Sequence, residues 1–229
     1  MLRRVAQLAI ILVLPIFFVL TNVRLLMSET YLRYEYGKPD FPKPARFTVE
    51  ERMSFARASV DYLLTDAGID ALRDLADASG PIYNERELGH MEDVKALTQK
   101  VFPLQVVLGL FVLALGGGMI YRGGMPRRAA LRGLLGGAAL SWGLLVGLTL
   151  LVFLNFDWFF VQFHLIFFEG ETWLFPATDS LIRLFPPQFW FDAAVLIGVL
   201  TLAQAALVGA VAWFFARRIA AGAAGAATG

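Results

Sequence analysis

The chain has 229 residues, of which 58% are hydrophobic, 14% aromatic and only 17% charged, with a formal net charge of +1 and no cysteine. Such a composition belongs to an integral membrane protein rather than a soluble domain. The lack of cysteine excludes disulfides, thiol nucleophiles, and zinc or iron centres held by thiolates.

A helix needs roughly 20 apolar residues to cross a hydrocarbon core of about 30 Å, and four stretches supply them. Taken in chain order, the expected spans are 5–25, 101–121, 133–156 and 193–215, within a single membrane domain covering 1–229. Arg3 and Arg4 precede the first run as they would in a signal peptide. No small-residue cleavage pattern follows, so the segment reads as an uncleaved anchor.

Between the first and second spans, 26–100 forms an insert. Its start, "YLRYEYGKPDFPKPAR" from Tyr31 to Arg46, is rich in Pro, Gly and charge and predicts an extended connection. Thr48 and Glu51 have capping-box spacing and predict a helix from Val49, its apolar stripe carried by Val49, Met53, Phe55, Val60, Leu63 and Leu64. A second helix is expected over Ile69–Ala76, ended by "SGP". Gly89 and Glu92 are compatible with a further helix starting at His90, where the positive end of the helix dipole would keep that imidazole neutral. The segment 157–192, between the third and fourth spans, is an aromatic interfacial loop. Spacing leaves open whether its first part extends the third span or forms a separate helix.

Charge sets the expected orientation. Arg3, Arg4, Arg122, Arg127, Arg128, Arg132, Arg217 and Arg218 fall on one side of the spans, and all 19 acids fall on the other. By the positive-inside rule both termini are cytoplasmic, while 26–100 and 157–192 face out of the cell. The spans carry no central ionisable residue, which disfavours a proton relay, pore or voltage sensor. A Gly-x-Ser-x-Gly elbow and a His-Glu-x-x-His metal motif are both missing. No nucleic-acid-binding motif is present, and topology accounts for the arginines at the membrane ends.

The chain has two histidines, His90 and His164, both on the outward side. Each has acids nearby in sequence: Asp93 after His90, and Asp157, Glu169 and Glu171 around His164. An imidazole oriented by a carboxylate is a usable general base. The phenylalanines and tryptophans around His164, Trp173 among them, fit either an ordinary aromatic belt or an active site at headgroup depth. Neither a metal nor another cofactor is expected.

Three motifs together resemble a known family. "ELGHMEDVK" at Glu87–Lys95, "FHLIFFEGETWLF" at Phe163–Phe175 and "DSLIRLFPPQFW" at Asp179–Trp190, in a four-span chain with a long insert after the first span, resemble the lipoprotein intramolecular transacylase family. The resemblance implies an all-α integral membrane protein of the bacterial cytoplasmic membrane with an extracytoplasmic helical insert. The implied enzyme moves the sn-2 acyl chain of a diacylglyceryl lipoprotein to the α-amino group of its N-terminal cysteine, giving the lyso form. Its implied partners are that lipoprotein and membrane lipid. His90 and His164 match the histidines of the first two motifs, with His164 expected as base and His90 as its partner in proton handling. Arg183, Asp157, Glu169 and Trp173 are the further candidates for substrate binding or oxyanion stabilisation. A non-catalytic envelope scaffold that binds a partner through the insert is the competing reading.

Overall fold

A computed structural model describes residues 1–43 and 46–228, with side chains to residue 222. The architecture is all-α apart from one small hairpin. Four helices are long and apolar enough to cross a membrane: α1 (Leu2–Leu26), α5 (Glu85–Tyr121), α6 (Gly124–Leu154) and α9 (Pro187–Thr228). Shorter helices make up the rest: α2 (Glu29–Tyr36), α3 (Val49–Leu64), α4 (Asp70–Arg73), α7 (Phe156–Phe167) and α8 (Ser180–Leu184).

The chain divides into two compact units. One comprises Met1–Val23, Pro103–Leu150 and Leu196–Gly229; the other comprises Arg24–Phe102 and Leu151–Val195.

In the first unit, small residues bring helices close. A Cβ on Gly136 would stand 2.9 Å from the Ile11 side chain, and one on Gly137 would stand 2.9 Å from that of Leu14, so these glycines leave the α6 backbone open to the α1 side chains packed on it. Leu14, Phe18, Ala138 and Ala205 form one buried cluster, and Ile10, Met119 and Ala130 another. A polar clasp interrupts this apolar interior. Asn22 is wholly buried and donates Nδ2 to Thr201 Oγ1 at 2.9 Å and to Gln204 Oε1 at 3.0 Å, while Gln204 donates back to Asn22 Oδ1 at 3.1 Å. Where water is scarce, polar side chains on apolar helices find one another. Gly123 and Gly124, both at positive φ, reverse the chain tightly between α5 and α6.

The second unit departs from expectation in several places. Glu29–Tyr36 is helical rather than extended: the Ser28 hydroxyl caps it by accepting from Tyr31 N, Glu29 pairs with Arg33 one turn on, and Tyr31 and Leu32 are buried. Pro44 and Ala45, also in that expected connection, lie outside the described residues. The α3 capping box forms through Thr48 and Glu51, but the buried face runs through Arg52, Phe55, Ala56, Ser59 and Tyr62, leaving Val49 and Leu64 exposed. Arg52 is tolerated there because its guanidinium lies 3.8 Å from the ring centre of Tyr36 and 4.6 Å from that of Phe41, and it donates to Pro42 O.

The helix expected over Ile69–Ala76 is only one turn, α4. Beyond it Ala76–Asp77 (β1) and Gly80–Pro81 (β2) pair antiparallel, with Gly80 at φ 117° making the turn. Helix α5 starts at Glu85 rather than at His90. Asn84 Oδ1 accepts from Glu87 N and Glu87 Oε2 accepts from Asn84 N, a reciprocal cap stronger than the one Gly89 could offer. The helix is interrupted at Asn155, whose Oδ1 accepts from Trp158 N and starts α7 as a helix separate from α6. Helix α9 begins at Pro187, a proline in the first-turn position where its missing N–H costs nothing.

Candidate active site

His90 lies in the second turn of α5, ahead of the apolar run that starts at Val101, and His164 lies in the last turn of α7. Though 74 residues apart in sequence, their rings stack with centroids 6.1 Å apart and planes 29° from parallel. Both belong to the second unit.

The loop after α7 closes over the pair. Gly170, at φ 71°, turns the chain so that Trp173 folds back onto His164, its ring 4.8 Å away and 28° from parallel. The Trp173 indole N–H donates to Gly170 O at 3.2 Å, so this side chain is a wall rather than a donor to a ligand. Phe168 touches both imidazoles, at 5.1 Å from His90 and 5.5 Å from His164. Phe160 packs on His164 at 4.2 Å, and Phe175 meets His90 edge-on at 5.3 Å.

Two polar ties fix this loop to α5 on either side of His90. Thr172 donates to Asp93 Oδ2 at 3.1 Å, and Arg86 donates to Asp179 Oδ2 at 2.7 Å while its guanidinium lies 6.0 Å from the Phe175 ring centre.

The protonation pattern follows from the partners. His164 Nδ1 lies 2.7 Å from the carbonyl oxygen of Phe160. A carbonyl only accepts, so Nδ1 carries the proton and the neutral ring presents its lone pair at Nε2. His90 Nδ1 is buried with no hydrogen-bonding partner. A bare ring nitrogen is cheaper to bury than a bare N–H, and it is the atom that a ligand's N–H or O–H would satisfy. Burial, followed by the neighbouring His164, lowers the His90 pKa to about 4, against a weaker opposing pull from Asp93. Burial likewise lowers His164, with its Phe160 hydrogen bond opposing. Both rings are therefore neutral at pH 7, and burial rather than a helix dipole is the cause for His90.

The carboxylates have other places. Asp93 accepts from Thr172 rather than orienting His90, and it is a backbone carbonyl that orients His164. Asp157, in the first turn of α7, and Glu169 and Glu171, in the loop, are exposed. Arg183 donates Nε to Ala177 O at 3.0 Å, and Asp179, one turn before it in sequence, is taken by Arg86. Phe168 and Phe175 touch the pair, and Arg86 lies behind Phe175 on its tie to Asp179; sequence reasoning gave none of the three a role in the site. The aromatic density of 156–191 signalled the phenylalanines as a class; nothing local marked Arg86. Among the described residues, no group of three or more His, Asp or Glu side chains could hold a metal ion.

The geometry thus offers two neutral imidazoles, one with a fixed free Nε2 and one with a bare Nδ1, in an aromatic enclosure with the Arg86–Asp179 ion pair at its edge. It can accept a proton and pass it on without a covalent intermediate.

Residues 8–190 match the family described as lipoprotein intramolecular transacylase Lit. A protein of Aquifex aeolicus (strain VF5), itself described as uncharacterized, is 27% identical over 208 residues, 90% of this chain and 92% of its own. Among solved structures, the membrane integral lipoprotein intramolecular transacylase Lit from Bacillus cereus superposes with a TM-score of 0.79 at 19% identity, covering 95% of this chain and 97% of the other. A form of that protein with a histidine replaced by alanine gives 0.68 at 22% identity, covering 95% and 94%. At these identities the superpositions speak to the fold.

Proposed function

The chain belongs to the lipoprotein intramolecular transacylase Lit family, and from that premise we propose that it transfers the sn-2 acyl chain of a diacylglyceryl lipoprotein to the α-amino group of the same molecule's N-terminal cysteine. The observation that carries this reading is the stacked pair His90 and His164, each with an unengaged ring nitrogen.

The neutral amine attacks the sn-2 ester carbonyl, forming the C–N bond and a cyclic tetrahedral intermediate. His164 Nε2 takes the proton that the nitrogen loses. As the intermediate collapses, the C–O bond to glycerol breaks and the glycerol oxygen receives that proton, from His164 directly or through His90. The product is an amide and a free sn-2 hydroxyl, with every atom conserved. Because nucleophile and ester belong to one molecule, the protein's task is to hold them in near-attack geometry, and the chain needs no nucleophile of its own.

Assigning the base to His164 is supported by its fixed tautomer. His90, with the pKa lowered to about 4, is the weaker base and suits proton relay. Arg86, which shares Phe175 with His90, is held by Asp179, and Arg183 is held by Ala177 O, so the developing oxyanion would draw on either cation only by loosening those ties. Trp173, Phe168 and Phe160 exclude water and receive apolar parts of the substrate. In this reading Asp157 and Glu169 lie outside the reacting centre. The segregation of eight arginines from all acids supports cytoplasmic termini and a site on the outer face of the bacterial cytoplasmic membrane.

The test is tandem mass spectrometry of the N-terminal peptide of a reporter lipoprotein, produced with this protein or its His90→Ala or His164→Ala variant in a host lacking N-acylation. Acyl transfer leaves the intact mass unchanged, so fragments must locate the chain. Amide-linked acyl with the native protein and ester-linked acyl with both variants is the expected result. Ester-linked acyl in every sample, with the protein verified in the membrane, overturns the reading in favour of a scaffold.

A further inference from the structure

The first unit contains a cavity of about 930 Å³ among α1, α5, α6 and α9. Its floor is core: Leu14, Phe18, Leu131 and Ala212 are almost wholly buried. Its rim is exposed, with Leu113, Leu207 and Phe215 more than half accessible. In an apolar solvent such a groove takes up an apolar chain. The lining has two charged members, Arg127 and Arg218. Arg127 donates Nε to Ile120 O at 3.0 Å, and the Arg218 guanidinium lies 4.5 Å from the Phe214 ring centre.

Sequence makes that charge decisive. Residues 1–23, 103–150 and 196–229, which build this unit, contain no Asp or Glu at all. The unit therefore has no side-chain carboxylate with which to neutralise these guanidinium groups.

We propose that this groove binds one anionic glycerophospholipid, with its phosphate at Arg127 and Arg218 and an acyl chain laid along the floor. Basic pockets between membrane helices suit anionic headgroups, and the apolar floor continues from them as a lipid tail continues from its headgroup. This site lies in the first unit, the histidine pair in the second, and the proposal does not depend on the transacylase reading.

The experiment is native mass spectrometry of the full chain released from detergent. Phosphatidylglycerol or phosphatidylethanolamine of identical acyl composition is added at graded concentration. Expected is tighter retention of phosphatidylglycerol, weakened about tenfold or more in an Arg127→Gln/Arg218→Gln double variant. An Arg128→Gln/Arg132→Gln double variant removes the same charge from exposed positions that do not line the groove, and should bind as the native protein does. Val211→Trp, on the exposed rim, should reduce retention of both lipids by filling the groove. Equal retention of the two lipids in the native chain overturns the proposal. So does an equal loss in the two double variants, which would mark diffuse attraction to a basic surface.

Discussion

At the scale of single residues, the site depends on keeping imidazoles neutral by burial. The folded pKa of His90 lies at about 4 against an ordinary 6.5. Above pH 6.5 the ring is neutral whether the chain is folded or not, and its contribution to stability is complete. Between 6.5 and about 4 the unfolded chain takes up a proton that the folded one refuses, so stability falls with pH, by roughly 3 kcal/mol across the window. Thermal unfolding in detergent at pH 7.5 and at pH 5 should show this loss, and His90→Phe should flatten it. The His164 lone pair should stay available below pH 6.5 because that pKa is also lowered, so acyl transfer should slow toward acid only with protonation of the substrate amine, which titrates at about 8; initial rates across pH 4.5–9 check that no second fall begins at 6.5. The two histidines were legible in sequence because they are the only two and each sits in a motif. Their tautomers were not, since those depend on which atoms approach each ring. Nor was the pairing of Arg86 with Asp179, which the fold brings together from 93 positions apart.

Among elements, Glu87 does most to set the site's frame. Its Oε2 closes the cap at Asn84, and its Oε1 accepts from Leu181 N in α8 at 2.7 Å, joining two helices through one buried carboxylate three residues before His90. Asn84→Ala removes one cap bond and should cost about 1 kcal/mol. Glu87→Ala strips acceptors from two backbone N–H groups, that of Leu181 buried, and should cost roughly 2–4 kcal/mol. Chemical denaturation of the two variants side by side checks the order. Capping chemistry read directly from sequence succeeded for α3, where Thr48 and Glu51 are a strong pair. At α5 the same spacing recurs in Asn84 and Glu87, and this stronger pair, not Gly89, starts the helix. Helix α4 was overextended because Leu75 and Ala76 fit helical periodicity, while the turn at Gly80 draws that segment into a hairpin.

Across the whole chain, the four apolar helices were legible because hydropathy over some twenty residues is a strong signal, and their ends were less so because the charged stretches that open α5 and α6 belong to the same helices as the apolar runs. What hydropathy could not reveal is the use made of individual glycines. A Cβ on Gly137 would meet Leu14 at 2.9 Å and Ile10 O at 3.3 Å, whereas one on Gly143 meets nothing within 4 Å. Gly137→Val should therefore destabilise the protein by about 1–3 kcal/mol through overpacking, with Gly143→Val close to neutral on packing grounds. Thermal aggregation in detergent separates them. The Asn22 clasp with Thr201 and Gln204 was equally hidden, since its members are 179 and 182 positions apart.

The stacking of Trp173 on His164 also makes the chain its own optical probe. Of five tryptophans, Trp173 is the one that is buried, at 8% exposure against 44–49% for Trp142, Trp158, Trp190 and Trp213. The emission lost in Trp173→Phe isolates its share of the spectrum. Protonated imidazole quenches an adjacent indole far more than the neutral ring does, so that difference emission should dim as His164 takes up a proton. A titration of it should trace a single curve midpointed below pH 6.5, absent in His164→Gln. It would read the ionisation of the buried ring by light, with no substrate bound and no label attached.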